Sequence, residues 1–395
     1  MGQTLQNPAE GRYPIAAASV FLLLAGVLIP SPLYELYRKA FGLTPAQIGL
    51  VFAIYAASLI PSLIFLGGIS DHIGRRRTML TGIALLALGS LVFAFANEFV
   101  WLIIGRILQG FAVGVGLGAS IAAITEWMPE AMRKHAGQVA VIATSAGAAF
   151  GALLAGALGQ YTPYGASLPY FVHIALLIVL AFAIASVPSC PHVYDSNHSS
   201  VLHVPKSIRR PFYIAAGQAF ISWGTLGVFL SLVPTFLDNA LHLDNLMIGA
   251  GVVSLVQTGA IVASLTTDRF TNRTGIVTAM LVLGAGMWCL LLSKPWHLQA
   301  LIFVGAFLAG AGNGISYAIA LRIVGAISPP EHRAEVTSSL LVAGYTGFSL
   351  PVLLVGFVAD YVGLYLAFLA AAVALGAIAL TTIAVATDRN LAAPT

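Results

Sequence analysis

Read from its amino end, the chain is a succession of long apolar runs separated by short polar breaks. A helix needs about 20 apolar residues to cross the hydrocarbon core of a bilayer. Runs of that length occupy 14–34, 46–66, 78–96, 99–124, 136–158 and 169–187. After a polar interval six more follow, at 212–236, 247–266, 275–293, 299–327, 336–358 and 362–386. Each run is continuously apolar, without the alternation of an outer-membrane barrel strand, so each is expected to be a helix. The pattern predicts an all-α membrane protein with twelve transmembrane helices in two six-helix bundles, 1–188 and 212–395, joined by a linker at 189–211.

Composition agrees with that pattern and excludes other classes. Of the 395 residues 59% are hydrophobic and 8% charged, against about 25% charged in a soluble domain. Mean hydropathy is +0.93. A water-soluble enzyme, a nucleic-acid binder and a disordered scaffold are therefore ruled out. The first run, Tyr13 to Tyr34, is too long for a signal-peptide core and is expected to be retained as a span.

Charge placement orients the chain. One set of loops carries Arg12, Arg75, Arg76, Arg77, Arg133, Lys134, Lys206, Arg209, Arg210, Arg269, Arg273, Arg333 and Arg389, thirteen cations, whereas the opposite loops hold only Arg38, Lys39 and Lys294. This bias puts both termini in the cytoplasm. Cys190 and Cys289 have no metal-ligand spacing, and His192, His198 and His203 in the linker fit no compact ligand pattern. No metal and no cofactor are expected.

The two halves repeat each other. At a constant offset of 200, Gly105, Gly110, Gly114, Pro129, Arg133, Gly147, Gly156 and Tyr161 meet Gly305, Gly310, Gly314, Pro329, Arg333, Gly347, Gly356 and Tyr361. Parallel repeats about an axis along the membrane normal are a transporter architecture, with the substrate site between the halves near mid-membrane.

Between the second and third runs the chain reads Gly67-Gly68-Ile69-Ser70-Asp71-His72-Ile73-Gly74-Arg75-Arg76-Arg77. Gly67 admits close helix approach, Asp71 can cap a facing helix N-terminus, Gly74 permits a tight turn, and the arginines anchor to headgroups. This order of glycines, acid and arginines resembles the signature loop of the major facilitator superfamily, and the twelve-helix drug:proton antiporter branch in particular. A weaker copy between the eighth and ninth runs keeps Asp268 and Arg273 but has Thr271 in place of the turn glycine.

The resemblance extends to Arg106-Ile107-Leu108-Gln109-Gly110 in the fourth run. An arginine inside hydrocarbon costs at least about 2.5 kcal/mol and must face the interior with a partner. Two readings stay open for it: a structural arginine bonded to backbone carbonyls, or a group that binds an anionic substrate or shifts a nearby acid. Glu126, at the end of that run, is by resemblance the acid that pairs with Asp71 and Arg75 in a gating cluster; alternatively it is a headgroup-level residue. Gly147, Gly151 and Gly156 resemble the superfamily's antiporter motif, with Ala152 where that motif has proline. The family associates the motif with efflux.

Proton coupling needs a titratable group at membrane depth, and Tyr13 to Tyr34 contains no acid. The groups left are Glu126 and His173. Tyr55, Gln109, Gln138, Gln218, Trp223, Gln257, Asn313, Tyr317 and Tyr345 are polar or aromatic residues within runs, able either to line a substrate cavity or to join helices. The resemblance implies a secondary transporter of the inner membrane, multi-pass and monomeric, with a small-molecule substrate and protons as partners. It works by alternating access and exports small organic molecules or drugs. The alternative is proton-coupled uptake of an organic anion bound by Arg106. No residue set for an enzyme is present: there is no HExxH, no paired intramembrane acids and no Ser/His pair.

Overall fold

The computed structural model describes residues 9–66, 69–188, 202–241, 245–329 and 332–387. The described chain is helical throughout: α1 (Tyr13–Leu28), α2 (Pro30–Phe41), α3 (Pro45–Leu66), α4 (Ile69–Ile73), α5 (Arg75–Ala94), α6 (Phe99–Trp127), α7 (Ala136–Tyr161), α8 (Leu168–Ala185), α9 (Arg209–Ser231), α10 (Val233–Leu241), α11 (Leu246–Ser264), α12 (Asn272–Leu292), α13 (Ala300–Ile327), α14 (Arg333–Val362) and α15 (Leu364–Thr387). Twelve helical segments are long and apolar enough to cross a membrane. They correspond one for one to the apolar runs of the sequence. The largest difference is at the first, which continues through α2 to Phe41.

The continuation has a proline cause. Pro30 lacks the N–H that would bond the Gly26 carbonyl, so the helix is interrupted at Ile29 and restarts with Pro30 in its first turn. The same event occurs in the second half, where α9 ends at Ser231 and α10 carries Pro234 in its first turn. Each half therefore opens on a helix broken near its far end.

Two compact units result. One is built from 1–30 and 57–200, the other from 31–56 and 201–395. In the first unit α1 packs on α6, α7 and α8, and α5 packs on α6 and α8. In the second, α9 packs on α13 and α14, and α12 packs on α13 and α15. The small buried residues of the two cores, Ala16, Ala112 and Ala119 in one and Ala215, Ala219 and Ala320 in the other, let helices approach closely. In lipid that close packing, rather than apolar burial, drives helix association. Large side chains such as Phe65, Phe182 and Leu380 are instead turned outward, as expected of a surface bathed in hydrocarbon.

The sequence repeat is also a packing repeat. A Cβ on Gly147 would collide with the backbone of Phe21, and one on Gly347 would collide with the backbone of Phe220. The offset of 200 thus relates the α1–α7 crossing in one unit to the α9–α14 crossing in the other. Gly151 makes the next contact along α1, against Ala25. Where the antiporter motif has its proline, α7 has Ala152, while α14 carries Pro351 inside the helix.

Candidate functional site

The break in α1 is the center of the first unit's polar interior. The Gly26 carbonyl, released by Pro30, accepts a hydrogen bond from Gln109 Nε2 at 3.0 Å. Arg106 Nη1 donates to the next carbonyl, Val27, at 2.9 Å and to Gln109 Oε1 at 2.8 Å. Its guanidinium also lies 5.9 Å from the centroid of the Phe93 ring. Arg106 and Gln109 are both buried. Lipid offers no water to satisfy exposed carbonyls, so a broken helix persists only where side chains replace the lost bonds. Arg106 is thus bonded to a backbone carbonyl, the contact that the first of its two readings expects.

His173 lies at the same helix. Its Nε2 donates to the Leu22 carbonyl at 3.0 Å, and its Nδ1 shares a hydrogen bond with the Ser90 hydroxyl, also at 3.0 Å. Both ring nitrogens are occupied, and the imidazole joins α1, α5 and α8. Ser19 and Ser120 make a further tie between α1 and α6 at 2.8 Å.

At the signature loop, Gly74 has φ +93° and caps α5, a conformation that disfavors any residue with a side chain. Arg75 Nε and Nη2 both reach Glu126 Oε1, at 3.0 and 2.9 Å, and its Nη1 reaches Ser70. Arg76 donates to the Val187 carbonyl at 3.1 Å. Asp71 is in α4; Gly67 lies outside the described residues. Gly156 is buried on α7.

The second loop inverts this arrangement. Its acid, Asp268, is on the loop and its base, Arg322, is on α13, 3.6 Å apart. Arg322 also donates to the Phe270 and Thr267 carbonyls at 2.8 and 3.0 Å. Arg273 stands exposed in the first turn of α12. Arg322 thereby closes the turn that Thr271 leaves without a glycine.

Several of the polar and aromatic candidates gather in the second unit. Trp223 on α9 stands 5.2 Å from the Tyr317 ring and 4.7 Å, edge-on, from the Tyr345 ring. Phe348 extends the group at 6.3 Å and meets Phe52 at 4.7 Å. Tyr55 is buried three residues further along α3 from Phe52. Beside the rings, Ser222 donates to Asn313 Oδ1 at 3.1 Å, and Ser316 donates to the backbone carbonyl of Gln218 at 3.3 Å. The Gln218 side chain is fully buried, and among the described residues neither its amide nitrogen nor its oxygen has a hydrogen-bond partner. Gln257 is buried on α11. Gln138 is instead exposed, in contact with His135 at 3.2 Å.

One polar group was not anticipated. Glu35 on α2 is buried, and Arg38 grips it with two bonds of 2.8 and 2.6 Å. Across from it on α10, Asp238 bonds Lys39 at 2.9 Å and lies 3.5 Å from Arg38. Burial opposes the Asp238 charge, but the hydrogen bond from Lys39 and the Lys39 and Arg38 charges hold its carboxyl below the ordinary range. Ending the first span at Tyr34 hid this group. The signal was present in Glu35, Arg38 and Lys39, whose i, i+3 and i, i+4 spacing is that of one helix face.

Among the described residues, twelve apolar helices, a duplicated core and a broken helix at the start of each half make up a polytopic membrane protein with the repeat architecture seen in transporters. The Major Facilitator Superfamily profile matches over residues 16–266 and again over 217–393, and the chain belongs to that family. It is similar to the quinolone resistance protein NorA of Staphylococcus aureus, 25% identical over 170 residues, which are 43% of this chain and 42% of NorA. It thus spans less than half the length of that relative. It is 27% identical over 298 residues to the 3-(3-hydroxy-phenyl)propionate transporter of Escherichia coli strain K12, 71% of each chain. In fold it resembles a bacterial homolog of the human lysosomal transporter Spinster in an inward-facing, unoccupied conformation (TM-score 0.76, 14% identity, 98% of each chain). The nucleoside transporter NupG is similarly close in fold (TM-score 0.76, 14% identity, 95% of this chain and 98% of that chain).

Proposed function

We propose that this chain is a proton-coupled exporter of small aromatic molecules that works by alternating access in the inner membrane, with both termini cytoplasmic. The observation that carries the reading is the contrast between its two polar interiors. Arg106, the cation that an anionic cargo would need, is engaged by the Val27 carbonyl and by Gln109. Trp223, Tyr317 and Tyr345 instead form an uncharged aromatic face, with the unpaired Gln218 amide on the same helix as Trp223. Aromatic rings attract flat cargo by offset or edge-on stacking, and a buried amide with both ends unused has a donor and an acceptor for it. Gating falls to the Arg75–Glu126 pair together with Asp71. The partial likeness to a quinolone resistance protein supports outward transport of aromatic cargo.

Uptake of an aromatic acid is the second reading, favored by the 71% coverage of the hydroxyphenylpropionate transporter. Intact cells separate the two. Export requires expression to lower the steady-state content of a fluorescent quinolone and Trp223→Ala to abolish most of that effect. If expression leaves quinolone content unchanged and raises that of labeled 3-(3-hydroxyphenyl)propionate, uptake is the function.

A further inference from the structure

The buried charges at Glu35 lie beside the two helix breaks. Pro234 leaves the Leu230 carbonyl without its helical donor, and the Ser31 hydroxyl takes that place. One turn beyond this contact, Glu35, Arg38 and Lys39 of α2 meet Asp238 of α10. A small cavity lined by Pro32, Glu35, Pro234, Asp238, Asn245 and Leu246 borders both carboxyls. Interrupted helices at corresponding places in the two halves are where transporters bind coupling ions.

The four charges sum to zero but are unequally shared. Arg38 spends both of its short bonds on Glu35, within its own helix. Lys39 holds Asp238 at 2.9 Å and also lies 3.8 Å from Glu35, while Arg38 pairs with Asp238 at the longer distance of 3.5 Å. Glu35 therefore competes with Asp238 for both cations. Among the described residues, the ionizable groups facing Glu35 are Arg38 and Lys39 from α2 and Asp238 from α10. The start of α11 brings Asn245 and Leu246, which carry no charge.

We propose that Glu35 is a proton-binding site and that Arg38 is the switch it controls. A proton from water bonds to a Glu35 carboxylate oxygen and removes its charge. Arg38 then shifts from Glu35 onto Asp238, with which it already pairs at 3.5 Å in this structure, so that both cations of α2 hold α10 without competition from Glu35. Loss of the proton returns Arg38 to Glu35 and loosens the α2–α10 tie. Nearby carboxylates favor proton binding because like charges oppose ionization of both. This inference rests on the transport reading above and names the residue that takes the coupling proton.

The test reads the tie rather than transport, so it can fail while the transport reading stands. Leu246→Cys is introduced into a Cys190→Ser, Cys289→Ala background and reacted with a membrane-impermeant maleimide in reconstituted protein. Rates are normalized to a cysteine at exposed position 296 to remove the pH dependence of the reagent. Acidification from about pH 8 to about pH 5 is expected to slow labeling about tenfold, the effect of one unit of differential protonation. Glu35→Gln is expected to label slowly at both pH values and Asp238→Asn rapidly at both. Glu35→Asp retains the pH response and serves if Glu35→Gln does not fold. A pH-independent rate in the parent protein overturns the proposal, as does a full pH response in Glu35→Gln.

Discussion

Gln109 and Gln218 are both buried glutamines in lipid-embedded helices, and they are in opposite states. Gln109 repairs a carbonyl that a proline released, whereas Gln218 has an amide with no partner at either end. Leaving a buried polar group unpaired costs about 1–3 kcal/mol, toward the low end in membranes. Gln109→Leu is therefore expected to lower stability in detergent by about 1–2 kcal/mol, since the Gly26 carbonyl loses its donor. Gln218→Leu is expected to raise the stability of the empty protein by roughly 1 kcal/mol while weakening transport, the trade common at functional sites. Thermal unfolding paired with a flux assay checks both signs. From the sequence, Arg106 clearly needed a partner, because a charge in hydrocarbon cannot stand alone. That its partner is the backbone at Val27 depends on Pro30 lying three residues further along a different span, and no local pattern in either segment records that pairing.

At the scale of the element, the crossings of α1 with α7 and of α9 with α14 are set by single hydrogens. Gly147 and Gly347 occupy equivalent places, each against the backbone of the facing helix. A methyl group there has nowhere to go, because backbone rather than a flexible side chain opposes it. Gly147→Ala and Gly347→Ala are expected to cost at least about 1–3 kcal/mol each, the price of overpacking. Gly118→Ala and Gly284→Ala, which open onto free space, are expected to be neutral or slightly stabilizing. Melting temperatures of the four variants decide this, and equal losses in all four would mean that propensity, not contact, governs these helices. The glycine register was legible because an offset of 200 aligned them with Pro129, Arg133 and Tyr161 as well. The helix breaks were less legible. Prolines 30, 32 and 234 mark them, yet hydropathy runs smoothly through both, so the first apolar run was ended before Glu35.

For the whole molecule, number and type of spans were legible because the bilayer imposes its thickness on every segment, and the polar breaks between runs are short and frequent. The residues proposed to meet the cargo were legible only as a class. Trp223, Tyr317 and Tyr345 come from three different helices, and only folding shows that they share one cluster while His173 and Arg106 serve the α1 backbone. The second signature loop illustrates the limit again. Its acid was identified, but its base, Arg322, lies more than fifty residues away on α13. The proposed function is outward movement of an aromatic molecule against inward movement of protons. The most direct measurement uses everted membrane vesicles in which respiration acidifies the lumen. Vesicles containing this protein are expected to accumulate a fluorescent quinolone while the pH gradient lasts and to release it when a proton ionophore collapses that gradient. Accumulation indifferent to the ionophore, or none above vesicles lacking the protein, would contradict proton-driven aromatic export.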